Sequence, residues 1–256
     1  MRKILITNDD GFEADGLKAL VEALKDLAHI TIVAPSSEKS ACSSSITLKF
    51  PLRFISVGDD FYKLEDGTPA DCIYLAMHAF FEKNKPDLII SGINKGANLG
   101  EDTLYSGTLA GAIEGAINGI PSVAISQVMT KTEFGTHDYS YDNAQGLIRD
   151  LVQKIFKDGF PLGDRKVLNI NVPNLPNQKL KGVKVTQLGH RLYSNDAHRH
   201  TNPRGEEFFW LGLHPLKFKE KQNSDWSAVC EGYASVTPIK LDMTSVQDLD
   251  KIKKWI

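Results

Sequence analysis

The stretch KILITNDDGFEADGLKALVEALKDLAHITIVAP, residues 3–35, decides the fold class. Its two ends, 4–6 and 30–35, are short runs rich in β-branched and aliphatic residues, which predict two strands. Between them, aliphatic residues recur at spacings of three and four, at Leu17, Leu20, Val21, Leu24 and Leu27. This spacing predicts a helix with one apolar face. A helix that joins two apolar strands is typical of a βαβ unit, whose strands are parallel and whose sheet is covered by helices on both faces.

The same alternation of strands and helices continues along the chain to about residue 175. Further helices are predicted over 71–81, 108–118 and 142–157, and further strands over 87–90, 122–125 and 167–173. Alternating elements of this kind predict an α/β fold, a three-layer sandwich with a mostly parallel sheet. We expect this core to occupy residues 1–180.

The character of the sequence changes in residues 181–256. Strands are predicted at 183–186 and 207–211, but long polar stretches separate them. We expect a C-terminal extension rather than more of the core sheet, with a β-hairpin arm. An exposed strand that carries Phe208, Phe209 and Trp210 would invite aggregation unless it pairs with another subunit, so this arm predicts a homo-oligomer.

Composition excludes several classes of partner. Lys plus Arg number 30 against Asp plus Glu 32, and this balance argues against a broad basic surface for a nucleic-acid duplex or an anionic membrane. No apolar run approaches the roughly 20 residues that span a bilayer, and the apolar segment after Met1 is too short for a signal peptide. The three cysteines form no C-x-x-C pair, which favours a reducing compartment. The sequence therefore predicts a cytoplasmic protein.

An acidic pair, Asp9 and Asp10, directly follows the first predicted strand. That position is the carboxyl end of a parallel sheet, where open α/β folds bind their ligands. Gly11 permits the backbone turn that would let both carboxylates face one ion, and a hard divalent cation would offset their mutual repulsion. The alternative is that Asn8, Asp9 and Asp10 only form a turn, which is a common use of these residue types.

A glycine-rich loop, 91–107, follows the strand at 87–90 and leads into a helix. Its glycines let backbone N–H groups approach an anion, and the helix N-terminus favours phosphate. The candidate phosphate-binding residues are Gly96, Asn98, Ser106, Gly107 and Thr108. Asn94 carries a side-chain carbonyl suited to the same hard ion as the acidic pair. Neither the P-loop nor the dinucleotide-binding glycine pattern is present, although Gly107 and Thr108 by themselves are also typical of an ordinary helix start.

Five other side chains have weaker signals. Ser40 follows the strand at 30–35 and so lies at the same edge of the sheet, but taken alone it is typical of a loop. His198 and His200 have a spacing that suits zinc, yet the sequence offers no third nitrogen or thiolate nearby, and we interpret both as solvated. Tyr105 is a candidate for stacking on a base, and His190 is a candidate for contacting a substrate.

An ordered set of motifs resembles the stationary-phase survival protein SurE family. The motifs are Asn8-Asp9-Asp10-Gly11, Val33-Ala34-Pro35 with Ser40, Gly67-Thr68-Pro69, Ser91-Gly92-Ile93-Asn94 with Asn98-Leu99-Gly100, Tyr105-Ser106-Gly107-Thr108, 168–173, 202–205, 209–212 and 231–238. The resemblance covers nearly the whole chain. The sequence departs from the usual family pattern at Ala97, where proline is common, and at Cys42 and Ser43, where glycine and alanine are usual.

The resemblance implies a Rossmann-like core and a 5'- and 3'-nucleotidase that acts on nucleoside monophosphates. It implies one divalent metal ion per subunit, Mg²⁺ or Mn²⁺, with Asp9, Asp10, Ser40 and Asn94 as ligands, and dimers or tetramers joined through C-terminal arms. With that ligand set, Asp9 and Asp10 are the candidate catalytic residues. We expect an activated water to attack phosphorus, and direct attack by an aspartate is the less favoured route.

Two other functions fit parts of the pattern. One is a nucleotide-binding regulatory module without hydrolysis, in which the acidic pair only shapes a turn. The other is a metal-dependent glycosyltransferase, since an acidic pair at a strand end also suits the diphosphate of a nucleotide sugar. Phosphate release from nucleoside monophosphates distinguishes hydrolysis from both.

Overall fold

The structure is a computed structural model that describes residues 1–129, 140–176, 179–193, 197–211 and 217–256. Its strands are β1 (Lys3–Thr7), β2 (His29–Pro35), β3 (Arg53–Gly58), β4 (Phe61–Glu65), β5 (Leu88–Lys95), β6 (Ser122–Val128), β7 (Lys166–Pro173), β8 (Val183–Val185), β9 (His190–Arg191), β10 (Ala197–Thr201), β11 (Glu207–Leu211), β12 (Phe218–Lys219) and β13 (Ala234–Lys240). Its α-helices are α1 (Asp15–Leu24), α2 (Pro69–Ala79), α3 (Gly107–Ile117), α4 (Asp142–Asp158), α5 (Asp225–Cys230) and α6 (Leu249–Trp255). Short 3-10 helices lie at Gly100–Leu104 and Val246–Asp248.

Nine strands form one sheet in the order β3-β4-β2-β1-β5-β6-β7-β13-β8. From β4 to β7 each neighbouring pair is parallel, and the antiparallel pairs are β3 with β4 and β7 with β13. After β1 the chain adds β2 and β4 on one side, and it then returns to add β5, β6 and β7 on the other. The carboxyl ends of β1 and β5 therefore flank the point where strand order reverses, which is where such sheets bind ligands.

Helices cover both faces of the sheet, as the alternation of residues in β1 requires. Ile4 and Ile6 pack on one face with residues of α1 and α4, including Leu20 and Ile148. Leu5 points to the opposite face and packs with Ile73 of α2. Helix α3 lies on this second face beside α2. The predicted α/β, three-layer fold with a mostly parallel sheet is confirmed.

The helix starts that the sequence predicts are present. Helix α2 begins with a capping box in which the Thr68 hydroxyl accepts from the Asp71 N–H and the Asp71 carboxylate accepts from the Thr68 N–H. Pro69 lies at the start of the helix, where its missing N–H costs nothing. Helix α3 has Ser106 as its N-cap, whose hydroxyl accepts from the Leu109 N–H at 2.9 Å.

Strand β5 is longer than predicted. The sequence predicts that it ends at Ile90 and that a loop begins at Ser91, but the strand continues to Lys95. Pairing with β6 is interrupted by a register shift after Ser91 and resumes at Asn94 and Lys95. The polar and glycine residues that indicated a loop therefore form the irregular end of a strand, and they carry Asn94 along the edge of the sheet.

The C-terminal part is only partly the expected extension. The prediction that no further core strands follow residue 180 is wrong, because β13 pairs with β7 and β8 pairs with β13 in the main sheet. A separate antiparallel hairpin, β10 with β11, carries the exposed aromatic residues Phe208, Phe209 and Trp210. Gly212, the last residue of one family motif, lies outside the described residues. Within the described ranges, no helix is long and apolar enough to cross a membrane.

Candidate active site

The acidic pair lies where β1 ends, at the reversal of strand order. Asp9 is buried, with 4% of its surface exposed, and its Oδ1 accepts a hydrogen bond of 2.6 Å from the Thr108 hydroxyl. Asp10 Oδ2 accepts a hydrogen bond of 2.9 Å from the backbone N–H of Lys95, at the end of β5. Gly11 has a φ of +97°, which glycine adopts at little cost, and it turns the chain so that both carboxylates lie between β1, β5 and α3.

Helix α3 approaches this edge closely because glycine recurs every fourth residue on one of its faces. A Cβ on Gly111 would lie 2.7 Å from Thr7 Cγ2, and a Cβ on Gly115 would lie 2.4 Å from Ser122 Oγ. At the start of the helix, a Cβ on Gly107 would lie 2.8 Å from Asp9 Cβ. The three glycines therefore let the helix rest directly on the strands and bring its N-terminus against Asp9.

Both acidic groups have raised pKa values. The pKa of Asp9 is raised to about 6, chiefly because burial disfavours the charged carboxylate. The negative charge of Asp10 adds to this effect, and the hydrogen bond from Thr108 opposes it. Burial also raises the pKa of Asp10, which the nearby Glu38 carboxylate raises further and the Lys95 N–H lowers. Burial thus disfavours the charged form of both carboxylates, and a bound cation would offset that cost.

The segment after β2 forms one wall of the site. The Lys39 N–H donates to the Asp9 carbonyl at 2.7 Å, and a Cβ on Gly107 would lie 2.9 Å from Cys42 Sγ. Ser40 lies on this segment and is exposed, and its hydroxyl donates to Glu38 Oε1 at 2.7 Å. The structure thus brings the backbone that carries Ser40 to Asp9, while the described hydrogen bond of the Ser40 side chain is to Glu38.

The end of β5 supplies the opposite wall. Asn94 is 9% exposed, and its amide nitrogen donates to the Gly96 carbonyl at 3.1 Å, which leaves its side-chain oxygen available as a ligand. The Gly96 N–H donates to the Gln127 carbonyl at 3.0 Å and is therefore committed to β6 rather than to an anion. Asn98 donates from its side chain to Ser126 Oγ at 2.8 Å and to Thr108 Oγ1 at 3.3 Å. In this structure the Asn98 side chain therefore holds Thr108, at the start of α3, by a hydrogen bond.

The start of α3 offers backbone donors. Thr108 uses its hydroxyl hydrogen on Asp9, so the hydroxyl is not free to donate to a phosphate. The N–H groups of Gly107 and Thr108 belong to the first turn and have no partner within the helix, but the Thr108 N–H faces the Asp9 carboxylate and lowers its pKa. Ser106 accepts through its hydroxyl oxygen and keeps its hydrogen for donation. These donors, together with the helix dipole, suit an anion beside the acidic pair.

Sequence reasoning missed two residues that shape the loop. The Asn171 Oδ1 accepts from the Asn98 N–H at 2.8 Å, and the amide nitrogens of Asn169 and Asn171 donate to the Asn98 carbonyl at 2.9 and 3.0 Å. All three asparagines are buried. The available signal was the pattern Leu168-Asn169-Ile170-Asn171-Val172, in which polar residues alternate within an otherwise apolar strand.

The histidines singled out from the sequence lie elsewhere. His190 is on β9, and its Nδ1 lies 2.9 Å from Glu101 Oε1, next to the 3-10 helix that precedes Tyr105. His198 and His200 are exposed on the β10–β11 hairpin, where the ring of His200 stacks on Phe208. Neither of these two histidines contacts the acidic pair among the described residues.

Comparisons with known proteins show the family of the chain. The family model described as "Survival protein SurE" matches residues 4–195. A protein named 5'-nucleotidase SurE from Wolinella succinogenes is 58% identical over 261 residues, and the alignment covers 100% of this chain and 100% of that protein. One of the same name from Helicobacter hepaticus is 54% identical over 263 residues, covering 100% of this chain and 99% of that protein.

One of the solved structures has a similar fold. The crystal structure of SurE protein from Aquifex aeolicus superimposes with a TM-score of 0.84 at 39% identity and covers 99% of each chain. Sequence and fold therefore lead to one assignment. This chain belongs to the survival protein SurE family.

Proposed function

We propose that this protein is a metal-dependent 5'-nucleotidase that hydrolyses nucleoside monophosphates, 3'-monophosphates included, to nucleoside and phosphate. The observation that carries the proposal is the buried Asp9, which has a second carboxylate, Asp10, beside it and lies against the N-terminus of α3. The carboxylate pair can bind a cation, and the adjacent helix N-terminus favours an anion. Together they suit a phosphate ester that is held by a metal ion. The relatives named 5'-nucleotidase SurE support the same activity.

The donor atoms fit one hard divalent cation. The Thr108 hydroxyl engages Asp9 Oδ1 and not Oδ2, Asp10 keeps one carboxylate oxygen, and Asn94 keeps its side-chain carbonyl. The described residues contain no cluster of three or more His, Cys, Asp or Glu side chains that would suit a metal, so the site depends on amide and hydroxyl oxygens beyond the two carboxylates. All-oxygen ligation of this kind favours Mg²⁺ or Mn²⁺. Ser40 is the fourth ligand that family membership suggests.

Residues of this chain would orient the two carboxylates and stabilise the charge on the phosphate. When bound, the cation would supply Lewis acidity toward phosphate and toward water. Thr108 holds Asp9 in one orientation, and the Lys95 N–H does the same for Asp10. The Gly107 N–H and the Ser106 hydroxyl would stabilise negative charge on the phosphoryl oxygens. We favour attack by water, because each aspartate is fixed through one oxygen and the other oxygen serves as a ligand.

We also propose a cytoplasmic homodimer or homotetramer. The three cysteines, all in described parts of the chain, are free. On the β10–β11 hairpin, Phe209, Trp210 and Leu211 are 62%, 65% and 84% exposed, a degree of exposure that a partner subunit would relieve. The hairpin is therefore our candidate for the oligomerisation arm, within a C-terminal extension that begins near residue 181.

The test is a phosphate-release assay with 5'-AMP, 5'-GMP, 3'-AMP and a nucleotide sugar, run on chelator-treated protein with Mg²⁺, with Mn²⁺ and without metal. We expect release from the monophosphates only when metal is present, and loss of release in Asp9→Asn. The matched control is Asp15→Asn, which removes an exposed carboxylate paired only with Lys18. Nucleotide binding without hydrolysis would favour a regulatory module, and transfer from the nucleotide sugar alone would favour a glycosyltransferase.

A further inference from the structure

Two exposed tyrosines lie together beside the start of α3. Tyr105 is 57% exposed and Tyr193 is 49% exposed, and their ring centroids are 6.5 Å apart with the planes at 88°. Tyr105 directly precedes the N-cap Ser106, and Gly107, one residue further, lies against Asp9. Two Cα steps separate Tyr105 from Gly107, a span of at most about 7.6 Å. The backbone of Tyr105 is therefore next to the proposed phosphate position, and the two rings lie beside each other.

Tyr193 is held in place by the 3-10 helix. Its hydroxyl donates to Asp102 Oδ1 at 2.9 Å, and Arg191 pairs with the same carboxylate at 3.1 Å. The Arg191 guanidinium also lies 5.6 Å from the centroid of the Tyr193 ring. Burial and the Asp102 charge raise the pKa of Tyr193, so the phenol stays a neutral donor. These contacts fix the ring although half of its surface is exposed.

Tyr105 has a fixed backbone and an exposed ring. Its carbonyl accepts from the Ser43 N–H at 3.0 Å, its N–H donates to the Asp102 carbonyl at 3.1 Å, and the Ser43 hydroxyl donates to the neighbouring Leu104 carbonyl at 2.8 Å. These bonds tie Tyr105 to the wall of the site that begins at Lys39. A ring with an ordered backbone and an open face is suited to stacking, because little conformational freedom is lost when a planar ligand binds.

We propose that Tyr105, supported edge-on by Tyr193, is the base-stacking face of the site. This inference rests on the proposed function, since only a ribose separates the phosphate of a nucleotide from its base. Stacking on an aromatic ring tolerates every base, because each base has a π-face. The substrate class is therefore nucleotides in preference to phosphate esters that lack a base, with little discrimination among bases.

The experiment compares kcat/KM for AMP with kcat/KM for ribose 5-phosphate, the same ester without its base, in Tyr105→Ala, Tyr105→Phe and Tyr193→Ala. We expect the AMP preference to fall about tenfold or more in Tyr105→Ala, mainly through KM, and to recover in Tyr105→Phe. Tyr193→Ala should give a smaller loss in the same direction. The control is Tyr74→Ala, which removes a similarly exposed tyrosine that packs on His78 in α2.

Calorimetric titration of adenosine into chelator-treated protein gives a second readout that needs no turnover. Weaker adenosine binding in Tyr105→Ala supports the proposal, and unchanged binding together with an unchanged AMP preference overturns it. A change of oligomeric state in Tyr105→Ala with an unchanged AMP preference also overturns it, because the pair would then be a subunit contact. If the parent protein hydrolyses neither ester, the proposed function has failed, and adenosine binding alone decides the role of Tyr105.

Discussion

Gly107 lies against Asp9 so closely that a Cβ added to the glycine would be 2.8 Å from the Asp9 Cβ and 2.9 Å from its Oδ2. The start of α3 and the end of β1 thus share a space that admits no side chain. This contact brings the proposed phosphate-binding end of the helix to the carboxylate pair, and it makes the glycine a requirement of the site rather than of the helix.

Replacement of Gly107 by alanine is expected to displace the start of α3 from Asp9. We expect a loss of activity of about 100-fold, since a displacement of about 1 Å at a reacting centre has an effect of that size. Overpacking should also destabilise the fold by about 1–3 kcal/mol. Steady-state kinetics and urea unfolding measure both effects. The control is Gly146→Ala in α4, where an added Cβ meets nothing within 4 Å and alanine should stabilise the helix slightly.

The raised pKa of Asp9 predicts how the stability of the metal-free protein depends on pH. The folded value is about 6 and the ordinary value is 3.8, so the folded state binds the proton more tightly. The associated stability is fully present below pH 3.8 and is lost as pH rises through about 6, a loss of about 3 kcal/mol. Asp9→Asn removes this dependence because the amide does not titrate.

The measurement is urea unfolding of chelator-treated parent and Asp9→Asn proteins between pH 4 and pH 7. The difference in unfolding free energy between the two should grow in favour of the variant as pH rises. Titrating groups away from Asp9, such as Asp225, are present in both proteins and cancel in the difference, whereas the electrostatic coupling of Asp10 to Asp9 is part of the measured difference. A difference that stays constant across the range would mean that Asp9 is ionised throughout and that its burial has been overestimated.

The asparagine pair on β7 predicts a graded loss of stability. Asn171 both donates to and accepts from the backbone of Asn98, whereas Asn169 only donates to it. Removing Asn171 leaves a buried N–H and weakens the carbonyl contact, and a buried unsatisfied group costs about 1–3 kcal/mol. We expect Asn171→Ala to be more destabilising than Asn169→Ala, as measured by thermal unfolding. Equal effects would show that the two residues act only by filling space.

Much of the fold could be predicted because local patterns fixed it. A βαβ unit was indicated by the apolar spacing of Leu17, Leu20 and Leu24 and by the two strands that flank them. The position of the acidic pair at the end of a strand indicated that it belongs to a binding site. The place of β8 and β13 could not be predicted this way. Their pairing with the main sheet joins segments far apart in sequence, and short partly exposed strands carry no periodic signal that separates a core strand from an arm.

The sequence indicated which residues lie in the candidate site, but it did not indicate the hydrogen bonds that they make. The hydrogen bond from Thr108 to Asp9 joins residues 99 positions apart, and the packing of three glycines on the sheet decides it. The sequence indicated Thr108 and Gly96 as phosphate donors. In the structure the Thr108 hydroxyl donates to Asp9 and the Gly96 N–H donates to Gln127, so the donors that remain are the Gly107 N–H and the Ser106 hydroxyl at the start of α3.

The most direct measurement is anomalous scattering from crystals of the parent protein soaked in Mn²⁺, with Asp9→Asn crystals treated in the same way. We predict one strong anomalous peak per subunit, coordinated by Asp9, Asp10 and Asn94, and its loss in the variant. A peak that lies elsewhere, or no peak between these side chains at saturating Mn²⁺, would contradict the metal-dependent site on which the proposed hydrolysis depends.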